Sequence, residues 1–414
     1  MLAAELLLIE TLLHEFLGRR RSQKYMAAYK PFPLPDTKNG GGSFEQPRVS
    51  VIVPTVDWDE PSFMKALCSW LRNGPSELIV VTTFDAMDAA RALLDSEEVQ
   101  RCVSEDGSGN KTHLKVRGVE QANKRDQLLE GINSAGAPIL ALVDDDAIWE
   151  PTTLRYLLAP FDNPDVGLVG GPVESYMPEE RKDPAVITAW EVAALRNRSR
   201  RRGGNKAFFV ADGSTNFTIS GATMLVRGSI VRDADFPVAF ANERFLGVRQ
   251  NSGDDSFITR WVLFHHLRPD GREWKLGMQL VPEARVSTTL MTDSRFAGQM
   301  KRWMRTGLRF RLTCLLIDPG YWNPILTLLW WVAFALTVQR RPRWAIALAA
   351  WYIYGTVSSL RSFCREFPYC RSKVWAAFLA DKVPLISDWY SWATLPTERW
   401  YSRKTVDTGP EPAP

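Results

Sequence analysis

The chain has 414 residues, with 51 Lys and Arg against 47 Asp and Glu, a formal net charge of +4. That length holds one large domain of about 250 to 300 residues with a sizeable core, plus a smaller unit. So mild a charge excludes a dedicated nucleic-acid binder, and no nucleic acid is expected as a partner.

Residues 1–30 open leucine-rich, but Glu5, Glu10, His14 and Glu15 interrupt the run. No basic run or small-residue cleavage site precedes Arg19, Arg20 and Arg21, which excludes an ordinary signal peptide. The segment reads as an amphipathic or membrane-associated helix. Pro31, Pro33, Pro35, Gly40, Gly41, Gly42 and Pro47 make 31–47 a flexible linker.

From Arg48 short apolar runs alternate with helical stretches. The runs 49–53, 78–81, 114–116 and 139–143 have the composition of buried strands. They predict an α/β domain over 48–298, with a mostly parallel sheet covered by helices on both faces. Ligands of such sheets bind beyond the carboxyl ends of the strands, where Asp144, Asp145 and Asp146 follow Val143.

Adjacent carboxylates at a strand end repel one another unless a cation or donors hold them. Asp144 and Asp146 are therefore candidate ligands for Mn²⁺ or Mg²⁺, whereas a helix N-cap would need only one of them. The later run Arg196, Arg198, Arg200, Arg201 and Arg202 reads first as a solvated helix face. Asp254 and Asp255 follow Gly253 and precede the apolar-periodic 257–263, so helix capping alone would explain them. A carboxylate apart from the metal pair is nevertheless what deprotonation of an attacking hydroxyl requires.

Gln299, Arg302 and Trp303 are spaced i, i+3, i+4 and share one face of an expected interface helix over 299–320. Arg302 suits phosphate oxygens, and Trp303 offers a flat apolar surface to a sugar ring. The apolar stretches 321–338 and 344–360, separated by Arg340, Arg341 and Arg343, predict a transmembrane hairpin; within the larger span 321–395 an interface helix follows it. Asp381, Lys382 and Asp388 argue that this last segment lies at an interface or faces a helix bundle. The five cysteines form no C-x-x-C pair and fit reduced thiols on the cytosolic side.

Taken in order, the motifs resemble a processive family 2 glycosyltransferase of the hyaluronan- and cellulose-synthase-like, fungal type. They are Val-Pro-Thr-Val-Asp at 53–57, Asn-Lys-Arg at 123–125, the D-x-D of Asp144 and Asp146, Trp190-Glu191 and Ser220-Gly221. Phe245-Leu246-Gly247, Gly253-Asp254-Asp255, the Q-x-x-R-W of 299–303, and Trp400-Tyr401-Ser402-Arg403 follow. The resemblance implies a GT-A type, Rossmann-like domain binding a UDP-sugar, with C-terminal interface and transmembrane helices. Pro54 and Asp57 would border the nucleotide, Lys124 and Arg125 would meet its phosphates, and Asp144 and Asp146 would hold ribose and metal. Ser220 and Gly221 would line the substrate site. Asp255 would be the catalytic base supported by Asp254, Trp303 would stack under the acceptor, and Arg302 would stabilise the leaving UDP. Residues 396–414 would hold a gating-like motif, with Trp400 and Arg403 over the nucleotide, and then a disordered tail.

The family's usual Asp-Gly after the second strand is replaced here by Thr82-Thr83-Phe84-Asp85, which leaves two readings: Asp85 substitutes from a shifted position, or the donor contacts differ from the family's. The resemblance implies transfer to the end of a growing polysaccharide, with extrusion across a membrane, from a multi-pass protein whose catalytic domain is cytosolic, at the plasma membrane. So few spans would call for a homo-oligomer to enclose a channel. Single addition to a membrane lipid, as in ceramide glucosyltransferases, is the alternative enzyme reading, and a non-catalytic membrane scaffold is the reading from another class.

Overall fold

The computed structural model describes residues 20–34, 48–104, 112–212, 218–265, 267–317, 342–383 and 390–395, with isolated positions at 17, 332, 335, 336 and 338–340. In chain order the elements begin β1 (Val49–Pro54), α1 (Pro61–Leu71), β2 (Glu77–Thr83), α2 (Met87–Leu94) and α3 (Glu97–Ser104). Next come β3 (His113–Val119), α4 (Lys124–Ser134), β4 (Ile139–Val143), β5 (Ala147–Trp149), α5 (Thr153–Leu158), β6 (Val166–Gly170) and β7 (Val173–Tyr176). They continue with α6 (Ala189–Asp212), β8 (Thr223–Arg227), α7 (Gly228–Val231), α8 (Asp235–Ala241), β9 (Arg244–Phe245), β10 (Val248–Arg249) and α9 (Asp254–Arg260). The last are β11 (Lys275–Met278), β12 (Val286–Thr289), α10 (Arg295–Ile317), α11 (Pro342–Glu366) and α12 (Val374–Ala380).

Seven strands form the main sheet in the order β11-β6-β8-β4-β1-β2-β3. The four expected strands stand side by side in it, all parallel. The sheet as a whole is mixed, because β8 runs antiparallel to both β4 and β6. Its sequence Thr-Met-Leu-Val-Arg carries no mark of direction, so this departure from a mostly parallel sheet was not readable.

The period-2 alternation of β1 divides the core. Val51 and Val53 join Leu67 and Trp70 of α1 on one face, while Ile52 joins Leu128 and Ile132 of α4 on the other. Helix α4 lies against β1 only because position 131 is glycine, where a Cβ would stand 2.3 Å from a methyl of Ile52. A smaller sheet, β5-β12-β7, joins the segment after β4 to the strand that leads into α10.

Three expectations are corrected. Cys68 of α1 and Cys102 of α3 form a disulfide, not a pair of free thiols; their Cα atoms lie 5.4 Å apart across a 34-residue separation that spacing alone does not connect. Phe32, within the expected linker, exchanges backbone hydrogen bonds with the Gln279 amide at 3.0 and 2.9 Å. The rest of that linker, 35–47, lies outside the described residues. Among the described residues no helix is long and apolar enough to cross a membrane. The second expected span falls in α11, where Trp351, Tyr352, Tyr354, Ser358, Ser359 and Arg361 dilute its apolar character. Most of the first, 321–338, lies outside the described residues, as do Trp400 and Arg403.

The arginine run of α6 is internal wiring as much as surface. Arg196 is buried, donates to both carboxylate oxygens of Asp381 at 3.0 and 2.8 Å, and reaches Ser359 of α11. Arg200 also meets Asp381, at 3.2 Å.

Candidate active site

The site forms at the carboxyl edge of the main sheet. There the chain leaving β1 meets the chain leaving β4: Thr55 Oγ1 donates to Asp145 Oδ2 at 2.8 Å, and the backbone N–H of Asp57 donates to Thr55 Oγ1 at 3.0 Å. Pro54 ends β1 and is buried, as is Asp57 three residues further on. Asp144, Asp145 and Asp146 occupy the turn between β4 and β5 and cap no helix. The Asp144 backbone N–H donates to Ala222 O at 3.1 Å, and Thr289 Oγ1 donates to Asp146 Oδ2 at 2.9 Å.

Lys124 closes the arrangement. Asn123 caps α4 by accepting from the backbone N–H groups of Arg125 and Asp126, which aims the first turn of the helix at the cleft. Lys124 Nζ then stands 2.7 Å from Asp144 Oδ1 and 2.8 Å from Asp254 Oδ2. One ammonium thus joins the strand-end carboxylates to the later acidic pair, which lies 110 positions further along the sequence than Asp144.

Asp254 and Asp255 begin α9 behind Gly253, which is the N-cap with φ +77° and supplies no side-chain cap. The left-handed backbone at 253 is one that glycine adopts without strain. Asp255 Oδ1 accepts from the Ser256 N–H at 2.7 Å, and Oδ2 from the Gly221 N–H at 3.3 Å. A Cβ on Gly221 would lie 3.3 Å from Asp255 Cβ and 3.7 Å from Asp254 Oδ2, so the Ser220-Gly221 turn packs directly on the acidic pair. Burial, and next the charge of Asp254, push the Asp255 carboxyl from the ordinary 3.8 up to about 6. Burial opposes ionisation of Asp254 too, but the Lys124 ammonium prevails and holds it below its usual range.

The Q-x-x-R-W motif arrives on α10. Thr306, on the same helix face as Gln299, Arg302 and Trp303, puts its methyl 2.8 Å from where a Gly253 Cβ would stand. This contact sets α10, one turn beyond the motif, against the glycine that precedes the acidic pair. Trp303 packs with Met300 and Phe296 against Ala193 and Ala194 of α6, and the Arg198 guanidinium lies 5.7 Å from its ring centre. Asp85 sits in an exposed turn just past β2, at the same sheet edge. Arg125 departs from its expected role: its guanidinium turns away from the cleft and is buried, donating to Phe240 O, Ser252 O and Glu243. Thr55, Thr289, Glu243 and Thr306 were missed by sequence reasoning, and Asp145 was given no role of its own; of these five, Thr55 and Asp145 lie within motifs that could have flagged them.

A divalent cation fits the donor set. Asp144 and Asp146 offer only carboxylate oxygens, the hard ligands Mg²⁺ and Mn²⁺ take. Burial lifts the Asp144 carboxyl; Lys124 opposes this, and the nearby Asp146 and Asp254 charges reinforce it, a repulsion a cation would relieve. Among the described residues no group of three or more His, Cys, Asp or Glu side chains converges. The remaining ligands would be phosphate oxygens and water, the usual habit of Mg²⁺ with one or two carboxylates.

Mixed sheet, strand-end carboxylates and a separate acidic pair define a GT-A-like glycosyltransferase. Residues 47–306 match the family model described as glycosyltransferase like family 2, and the chain belongs to that family. It is 32% identical over 402 residues to the NDP-glycosyltransferase ltbB of Aspergillus luteorubrus, covering 92% of this chain and 93% of that protein. A type 2 glycosyltransferase of Zymoseptoria tritici is 31% identical over 327 residues, 79% of this chain but 62% of the relative's length. The mannosyltransferase PcManGT from Pyrobaculum calidifontis, solved with GDP-Man and Mn²⁺, aligns over 92% of this chain and 97% of that one. At 18% identity and a TM-score of 0.46 it is too distant to carry more.

Proposed function

We propose that the protein transfers a sugar from a UDP-sugar to a hydroxyl at the end of a growing glycan, in one step with inversion at C1. The observation that carries this reading is the Lys124 bridge, which sets a donor-type carboxylate cluster against an acidic pair at 2.7 and 2.8 Å. Asp255 takes the proton of the acceptor hydroxyl as the oxygen attacks C1. The bond from C1 to the diphosphate breaks, and the UDP leaves with the electron pair. A carboxylate raised to about 6 holds a proton well enough to accept it and is still ionised at neutral pH.

Lys124 has three N–H donors, of which the two carboxylates use two, leaving one for a diphosphate oxygen. Arg302 would add a second positive charge to the leaving diphosphate, and Trp303 would supply an apolar platform for the acceptor ring. Asp144 and Asp146 would hold Mn²⁺ or Mg²⁺, which would neutralise the leaving diphosphate. Positioning and electrostatic stabilisation account for the acceleration, with no covalent intermediate.

The proposal includes work at a membrane. Its support is the C-terminal unit, where Trp351, Tyr352, Tyr354, Trp375 and Trp392 are exposed among Arg361, Arg365 and Arg371. Aromatic and basic side chains of this kind suit the headgroup region. The test is UDP release by purified protein in detergent, with Mn²⁺ or Mg²⁺, over a panel of UDP-sugars, with the product sized. Release with a long product, lost in Asp255→Asn, supports the reading. A single sugar on a lipid shifts it to single addition, and turnover retained in Asp255→Asn removes Asp255 as the base.

A further inference from the structure

Behind the acidic pair lies a buried ionic cluster with no contact to either expected substrate. Arg125 is 1% exposed. Its Nη1 donates to Phe240 O at 2.8 Å, and its Nη2 to Ser252 O at 3.0 Å and to Glu243 Oε2 at 2.5 Å. Glu243 uses its other oxygen to accept from Arg260 Nη2 at 2.5 Å, and Arg260 Nε donates to Ser256 O at 3.3 Å. The two guanidinium groups flank the Phe257 ring at 5.4 and 5.9 Å. The Gln250 N–H donates to Glu243 O at 2.8 Å, and the Gln250 side chain accepts from Arg309 of α10.

Through Arg125 and Arg260 the Glu243 carboxylate therefore ties together the start of α4, the chain that runs into Gly253 and the body of α9, while the Glu243 backbone carbonyl, through Gln250, meets the helix carrying Q-x-x-R-W. The backbone atoms it holds bracket the acidic pair: Ser252 O lies two residues before Asp254, and Ser256 O one residue after Asp255. We propose that Glu243, acting through Arg125 and Arg260, is a positioning residue that sets the height and angle of Asp255 against the acceptor. The inference rests on Asp255 being the base.

Desolvating two guanidinium groups and a carboxylate is an expense a purely structural core would avoid, since an apolar replacement is often as stable. What a fork-and-carboxylate network provides and an apolar core does not is fixed angle, and an error of about 1 Å in a reacting group costs on the order of a hundredfold in rate.

The test compares Glu243→Gln, Arg260→Met and Asp255→Asn with the parent, counting active sites by UDP binding. Glu243→Gln is expected to lower kcat 10- to 100-fold while KM for the donor stays within about threefold, because residues 55–57 and 144–146 are untouched. Arg260→Met, which keeps the Arg125–Glu243 pair, is expected to show a smaller drop with the same split, and it decides the matter if Glu243→Gln does not fold. Loss confined to the amount of folded protein, with kcat per site unchanged, would overturn the proposal, as would a rise in donor KM that matches the fall in kcat. Turnover retained in Asp255→Asn would remove the underlying reading. An inactive Asp255→Asn beside a fully active, folded Glu243→Gln would remove only this one.

Discussion

Asp255 couples activity to stability through one carboxyl group. Its folded value is about 6 against an ordinary 3.8, so the protonated form is favoured in the folded state. A raised acid costs stability only when it must ionise. The cost is absent below about pH 4, accrues as pH rises to about 6, and is complete above that. At 1.36 kcal/mol per unit the shift corresponds to about 2–3 kcal/mol at pH 7. Asp255→Asn removes the ionisation while keeping shape, so it should be more stable than the parent at pH 7 by up to that amount, with the gap closing near pH 4. Activity runs the other way: parent kcat/KM should fall about tenfold per unit below pH 6, while Asp255→Asn should be lower by about 10²- to 10⁴-fold and lack that limb. Urea melts at pH 4, 5 and 7 with UDP-release kinetics over pH 5–8 read both. An acid limb that persists in Asp255→Asn, or a variant less stable than the parent at pH 7, would refute the assignment.

Lys124→Met should abolish turnover and cost about 3–5 kcal/mol, because it strands Asp144 and Asp254 together; UDP-release kinetics and a chemical melt check the two effects. Gly221→Ala, whose new methyl meets Asp255 Cβ at 3.3 Å, should leave the melting temperature within a few degrees yet lower kcat about tenfold, read by single-turnover kinetics. Asp381→Ala leaves Arg196 buried without its carboxylate and should free α11 and α12 to proteolysis while residues 48–290 resist, as mass spectrometry of a trypsin time course would show. Cys68→Ser should lower stability by about 3–4 kcal/mol in non-reducing buffer and by far less after reduction.

Much of the catalytic edge was legible because it is local. A buried strand followed at once by three aspartates fixes where those carboxylates lie, since strand ends in such sheets open onto the crevice. The antiparallel strand β8 was illegible for the opposite reason, since direction is decided by its neighbours. The reading of 344–360 as a span rested on an apolar stretch of near-spanning length with tryptophans and flanking arginines suited to interfaces, and missed how far Trp, Tyr and Ser lower the helix's apolar character. The disulfide needed the packing of α1 on α3, which a sequence separation of 34 hides.

Lys124 and Arg125 show where a motif stops informing. Both are basic, both begin the same helix, and family resemblance gave both to the phosphates. Consecutive helical residues project about 100° apart, so one faces the cleft and the other the core. Lys124 meets two carboxylates at the cleft, and Arg125 is buried beneath Ser252 with its charge balanced by Glu243. The pair thus divides one stretch of sequence between binding the substrate and holding the base, and Arg125→Lys should separate them. The ammonium keeps the charge but loses the fork that reaches Phe240 O, Ser252 O and Glu243 together. Donor affinity should then persist while kcat falls. Equal losses in both, measured on folded protein by donor titration and single-turnover rates, would mean that Arg125 serves the phosphates after all.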